Sequence, residues 1–207
     1  MLLGCIVQAR MSSSRLPGKV LKNIENNVTV LKSVLNQLKF SQHIEKIVVA
    51  TSTNHEDDEI EDLCLIEKVP CFRGSLKDVA NRILIAATNY KTDAFVRING
   101  DSPLMDPKVI EEGIEIYQNG DYDLVTNAFP RSFPVGQSVE VIRTSTFEKA
   151  YQKMTTINHF EHVTKYYYEH PDDFRIQNFT NNRDLSNYRL VVDTPEDLIR
   201  IEKIIGS

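Results

Sequence analysis

The stretch Leu2-Leu3-Gly4-Cys5-Ile6-Val7-Gln8-Ala9-Arg10-Met11-Ser12-Ser13-Ser14-Arg15-Leu16-Pro17-Gly18-Lys19 decides how the chain is read. An apolar strand over residues 2–7 runs straight into a loop of small, hydroxylated and basic residues. The first 24 residues hold four basic side chains (Arg10, Arg15, Lys19 and Lys22) and no acidic one, in a chain whose net charge is -5. Backbone N–H groups, three serine hydroxyls and three cations in one loop are the equipment for holding a polyphosphate. Pro17-Gly18 sets the turn, and the loop follows the first strand of an α/β pattern, where ligands bind. It is not a Walker A loop: Gly18-Lys19 is followed by Val20, and Ser13 stands five before Gly18. No G-x-G-x-x-G is present either.

Working outward, strand and helix patterns alternate. Residues 46–51 are a β-branched apolar run, residues 69–72 a short strand and residues 94–98 another buried strand. Between them, Val30, Leu31, Val34, Leu35 and Leu38 have helical spacing, as do Ile60, Leu63 and Cys64, and Val79, Ile83, Ala86 and Ala87. The carboxylates Glu56-Asp57-Asp58-Glu59 suit a helix N-terminus facing solvent. A helix over residues 107–118 follows. Repeated β-α-β units predict a mostly parallel, Rossmann-like α/β sheet of the nucleotide-diphospho-sugar transferase type, with helices on both faces.

Past residue 121 the pattern loosens. Strands are expected over 123–126, 138–143 and 174–179, with helices over 146–154 and 159–168. The chain closes with a strand at 189–192 and a helix carrying Leu198, Ile201, Ile204 and Ile205 on one face. Residues 1–207 read as a single domain in which about 123–165 form an acceptor-side and dimer-contact excursion.

Composition narrows the function. Hydrophobic content of 41% and charged content of 26% are those of a globular protein with a substantial core. A pI of about 5.6 argues against general nucleic-acid binding, so the local basic loop points to one small anionic ligand. No apolar run approaches the roughly 20 residues of a membrane span. The start has no charged n-region, so no signal peptide is expected and the place of action is read as cytoplasmic. Cys5, Cys64 and Cys71 are odd in number and unpaired in spacing, as for small core residues in a reducing compartment.

Two carboxylates complete the pattern. Asp101 lies in Ile98-Asn99-Gly100-Asp101-Ser102-Pro103, where Gly100 permits an unusual backbone angle that aims the carboxylate out of the sheet. Asp193 lies in Val192-Asp193-Thr194-Pro195-Glu196-Asp197. There Thr194 caps the helix and Asp197 completes a capping-box spacing, leaving Asp193 free at the strand end. Mg²⁺ is bound by one or two carboxylates together with phosphate oxygens and water. Cations for a triphosphate and two carboxylates for Mg²⁺ describe a nucleotidyl-transfer site.

These residues resemble the CMP-sugar synthetases, including the 3-deoxy-manno-octulosonate and acylneuraminate cytidylyltransferases. They are most like the spore-coat polysaccharide cytidylyltransferase-like branch. The resemblance is carried by residues 6–21, by Phe72-Arg73-Gly74-Ser75 with Asp78-Val79 and Arg82, by Asn99-Gly100-Asp101-Ser102-Pro103, by Glu161-His162-Val163-Thr164 and by Val192-Asp193-Thr194-Pro195-Glu196-Asp197-Leu198. It implies a CTP-dependent, Mg²⁺-requiring enzyme that makes a CMP-activated sugar acid of the 2-keto ulosonate type, or a similar small anionic molecule, for surface polysaccharide. It implies that Arg10, Arg15 and Lys19 bind the triphosphate with Ala9 and Ser13 beside them, and that Arg15, Lys19 and Asp101 are catalytic. Arg73 would face the base, Asn99 would lie near the nucleotide or acceptor, and Asp101 and Asp193 would hold the metal. It also implies a homodimer.

The chain departs from the spore-coat-like branch at Gln137-Ser138, where a pair ending in Asp is expected, and it is shorter than the octulosonate enzymes, mostly on the acceptor side. Arg131, Gln137 and His162 are the acceptor-binding candidates in that region, with His159 and Glu161 near them. Tyr166-Tyr167-Tyr168 reads as core and dimer contact. Two other readings stand beside the first: a nucleotide-sugar-dependent glycosyltransferase, suggested by Asn99-Gly100-Asp101, and a non-catalytic CTP-binding subunit.

Overall fold

The first strand, β1 (Leu3–Gln8), is buried from Leu3 to Val7 because it runs through the middle of the sheet. It pairs in parallel with β4 (Lys46–Ser52) on one side and β6 (Ala94–Asn99) on the other. The computed structural model describes residues 1–206. Outside β4 lies β5 (Cys71–Gly74), also parallel. Beyond β6 the sheet turns antiparallel through β8 (Glu140–Arg143), then continues to β7 (Leu124–Thr126) and β9 (Ile176–Asn178). The order across the seven strands is β5-β4-β1-β6-β8-β7-β9. A separate hairpin, β2 (Asn23–Glu25) with β3 (Val28–Thr29), turns at Asn27 with φ 58.

Alternation along the strands divides the core between the two faces. Leu3, Cys5 and Val7 of β1 and Val96 and Ile98 of β6 pack against three helices: α1 (Val30–Leu38), α2 (Asp58–Glu67) and α4 (Pro107–Gln118). Ile6 and Phe95 point the other way, towards α3 (Val79–Asn89), α5 (Thr144–Lys153) and α7 (Lys165–Glu169). The short α6 (Ile157–Glu161) precedes α7. The last helix, α8 (Pro195–Ile205), starts at the expected capping box of Thr194 and Asp197. It docks through Ile201 on Leu16, Ile24 and Val30, so the C-terminal segment sits beside the basic loop.

Three expectations change. Residues 189–192 form no strand: Arg189 makes an isolated bridge to Val135, and the segment is held by single backbone bonds, Leu190 N–H to Val135 O at 2.7 Å and Val192 N–H to Asp101 O at 2.9 Å, with Val191 and Val192 buried. The helix read over 159–168 breaks at His162 (φ -107, ψ 72) into α6 and α7. Residues 123–165 do not stand off the body, because β7 and β8 belong to the main sheet and α5 packs on its helical layer.

Candidate active site

A cleft of ≈ 380 Å³ opens at the carboxyl ends of β1 and β6. The loop after β1 forms one wall. Gly18 makes its turn in the left-handed region (φ 69), and its N–H donates to the carbonyl of Met11 at 2.9 Å. A residue with a side chain at Gly18 would be strained there. The start of the loop is held from below by Asp57, which accepts from the N–H of Met11 at 2.7 Å and of Ser52 at 3.0 Å. Asp57 is 1% exposed, so it is a buried tie between β4 and the loop and not one of the solvent-facing carboxylates expected around residues 56–59.

Lys19 and the two expected carboxylates meet at one point. Lys19 Nζ donates to Asp101 Oδ2 at 2.5 Å and to Asp193 Oδ1 at 2.7 Å. Arg15 Nη2 donates to the other oxygen of Asp193 at 2.5 Å. Two carboxylates converging on one cationic atom form a donor set that fits a divalent cation. Asp101 reaches this point through a close approach and not through an unusual dihedral. Gly100 is outside the positive-φ region, but a Cβ on it would sit 3.0 Å from Gln8 O and from Ala9 Cβ. Asp193 comes in from the segment leading into α8. Its own carboxylate is free for the site because the capping box uses Asp197, which also accepts from the N–H of Asp193 at 3.1 Å.

The floor carries a network that sequence reasoning missed. Arg97 shares the Ile6/Phe95 face but lies beyond the helices that cover it, so it opens into the cleft. Its strand register sets it directly across from Glu140, and the two form an ion pair. Arg97 Nε also donates to Gln8 Oε1 at 3.0 Å, and Nη2 to Asn99 Oδ1 at 3.3 Å. Glu140 is 3% exposed and accepts from Thr164 Oγ1 and the Tyr168 hydroxyl, both at 2.6 Å. Burial pushes the Glu140 carboxyl up; Arg97, Thr164 and Tyr168 overcome this and hold it below its ordinary value. A charged residue inside the apolar run Phe95-Val96-Arg97-Ile98 was the available signal.

Of the residues singled out in the sequence, Ala9, Arg10, Ser13, Arg15, Lys19, Asn99, Asp101, His162 and Asp193 line the cleft together. Arg10 pairs with Glu161 at 3.3 Å. Arg73 is not brought in. It pairs with Asp58 at 2.5 Å and Glu61 at 2.8 Å and donates to the carbonyls of Ser52 and Asn54, so its guanidinium ties β5 to the start of α2. Gln137 is buried and committed, accepting from Asp106 N at 2.8 Å and donating to Leu104 O. Arg131 sits in the turn that bridges back to Ala128, away from the cleft. His159 is buried against Tyr166 and bonded to Glu169 at 2.7 Å.

Known proteins resemble the chain in sequence and in fold. A family model described as cytidylyltransferase matches residues 4–205. The chain is 32% identical to a spore coat polysaccharide biosynthesis protein of Bacillus subtilis, over 96% of this chain and 84% of that one. It is 36% identical to an uncharacterized protein of Methanocaldococcus jannaschii, over 93% and 78% respectively. The solved structure of a cytidylyltransferase from Leptospira borgpetersenii superposes with a TM-score of 0.91 at 33% identity, covering 100% of this chain and 94% of that one.

Proposed function

The chain belongs to the cytidylyltransferase family, CTP-dependent nucleotidyltransferases, and from that premise we propose that it transfers CMP from CTP to a small anionic acceptor, a 2-keto sugar acid or a close analogue, and releases pyrophosphate. The observation that carries this reading is the meeting of Lys19 and Arg15 with Asp101 and Asp193 at the mouth of the basic loop. The polysaccharide role of the Bacillus relative favours an acceptor destined for a surface polymer.

In this reading Arg10, Arg15 and Lys19 hold the triphosphate, with Ser13 beside it. Asp101 and Asp193 are the residues that would hold Mg²⁺, which supplies charge neutralisation on the phosphate oxygens. An acceptor oxygen attacks the α-phosphorus, the bond from that phosphorus to the bridging oxygen breaks, and pyrophosphate carries the electron pair away. Positioning and electrostatics do most of the work in such a transfer, so the protein needs no covalent nucleophile. The acceptor enters on the β6–β8 side, where Arg97 and His162 offer donors in place of Arg131 and Gln137. A homodimer is the assembly proposed; Ile157, 80% exposed, and Phe129, 45% exposed, are apolar surface that it would cover. Light scattering checks the assembly.

Titration calorimetry tests the nucleotide: CTP is expected to bind at least about tenfold tighter than ATP or GTP, a difference of about 1.4 kcal/mol. Equal affinities would remove the reading. Lys19→Ala and Arg15→Ala each delete a charge-assisted contact worth about 1.5–3 kcal/mol. Both should weaken CTP far more than CMP, and equal losses would mean that neither residue touches the β- and γ-phosphates. With a panel of ulosonic acids and pyrophosphate release as readout, His162→Ala should raise the acceptor KM and leave CTP affinity unchanged.

A further inference from the structure

Two of the three thiols meet at a corner of the molecule that has no part in the cleft. Cys64 stands in the last turns of α2, on the face that also buries Ile60, and is 1% exposed. Cys71 opens β5 at the edge of the sheet, where it is half-buried. It lies beside Val49 across the β4–β5 ladder, and residues paired in this way share a face of the sheet. That face is the one α2 covers: Cys71 packs on the same apolar cluster that holds Val49, Ile60 and Cys64. Six residues separate the two cysteines. The chain turns back at Lys68, which is left-handed (φ 56), and the N–H of Val69 donates to the carbonyl of Cys64 at 2.9 Å. The end of the helix and the start of the strand are pinned together, and the two thiols are hydrogen-bonded to each other.

The pair is unequal. The hydrogen bond from the Cys64 thiol holds Cys71 below the ordinary thiol value, and Arg73 adds to this against burial, Glu61 and Asp57. The same bond, and then burial, push Cys64 up. The thiolate is the nucleophile, so Cys71, at the sheet edge, reacts first with an oxidant from outside. Burial pushes Cys5 up as well, and Cys5 lies on β1, two strands in from β5. Two strand spacings are about 10 Å, beyond the span of a disulfide. We propose that Cys64 and Cys71 are a thiol pair that a hydroperoxide converts reversibly to a disulfide, with Cys71 as the attacking thiol and Cys64 as the resolving one. In the first step the Cys71 thiolate attacks one peroxide oxygen. The S–O bond forms, the O–O bond breaks, and the other oxygen leaves with a proton as water or alcohol. In the second step the Cys64 sulfur attacks the sulfur of the Cys71 sulfenic acid. The S–S bond forms, and hydroxide departs with the Cys64 proton as water. The two thiols give up two electrons and two protons, and the peroxide takes them. The bond staples edge strand β5 to α2, at the corner that Arg73 already clasps through Asp58 and Glu61.

The test is a titration of the full chain with hydrogen peroxide, read by intact mass, by alkylation in denaturant and by peptide mapping without reductant. The wild type should lose about 2 Da and fall from three alkylatable thiols to one, Cys5, with a linked Cys64–Cys71 peptide. Dithiothreitol should restore all three. Because the thiols are already in contact, the oxidised chain should melt roughly 5–10 °C above the reduced one. A bond that forms with no rise in melting temperature means that the corner must be prised open to make it, and overturns the poised pair. In Cys64→Ala, Cys71 has no resolving partner and should run on to the sulfinic acid, a gain of about 32 Da. In Cys71→Ser, Cys64 should stay alkylatable at doses that oxidise the wild type. Three thiols left intact, a sulfinic acid on wild-type Cys71 with Cys64 still free, a bond to Cys5 or a bond between two chains overturns the assignment. Should Cys64→Ala fail to fold, the wild-type peptide map decides by itself.

Discussion

Asp101→Asn and Asp193→Asn should each lower turnover about 10²–10³-fold, the loss seen when one preorganised electrostatic group is taken from a reacting centre. Each change keeps the size of the side chain and removes half of the negative charge facing Lys19 Nζ. Folding should survive, because Asp101 and Asp193 stand at the cleft mouth with side chains 21% and 17% exposed, and the capping of α8 is carried by Thr194 and Asp197. The measurement is pyrophosphate release at saturating CTP and Mg²⁺, beside a circular dichroism melt. The double variant should lose much less than the product of the single losses, since both carboxylates meet at Lys19 Nζ and act as one group. A single variant with normal release at saturating Mg²⁺ would show that its carboxylate only shapes a turn.

Glu140→Ala should cost about 3–5 kcal/mol of stability, because it strands Arg97 and two hydroxyls around a hole in the sheet. A domain of this kind has about 5–15 kcal/mol in total, so the variant sits near the edge of folding. Urea unfolding reads the loss, and a cost under about 1 kcal/mol would mean that water takes the place of the carboxylate. The same group gives a pH dependence. Its folded pKa lies below its unfolded value, about 4.3. Its stabilisation is therefore present above that unfolded value and is lost as pH falls through the lower folded one. Wild-type stability should drop in acid below about pH 4, and Glu140→Gln should flatten that drop.

The doubly wound part of the fold was legible because its signals are local. Strands β1 and β4 are carried by apolar runs, β6 by one that only Arg97 interrupts, and α1 and α4 show a helical stripe with a cap or an N-terminal proline. The basic loop and Asp101 were legible for the same reason: each follows a strand directly. Asp193 was found for a partly wrong reason. Its apolar run reads as a strand, but its place is set by docking of α8 on the loop. The failures concern residues whose role is decided across the sheet. Nothing near Arg73 in sequence shows that Asp58 and Glu61 will claim its charge, and nothing near Gln137 shows that Leu104 and Asp106 will claim its amide. The pairing of Arg97 with Glu140 depends on an antiparallel register 43 residues away.

The contact from Lys19 to Asp193 spans 174 positions of the chain, and that to Asp101 spans 82. On a ribosome these parts appear in order, the basic loop first, the first carboxylate about midway, and the second only with the segment that leads into α8. Local folding can assemble the central strands early, while so distant a closure has to wait for chain that has not been made. A nascent chain can thus hold a formed loop around Gly18 with Lys19 facing a single carboxylate. Competence for transfer arrives late in synthesis, as a property of the whole polypeptide rather than of the strand and loop that announce it.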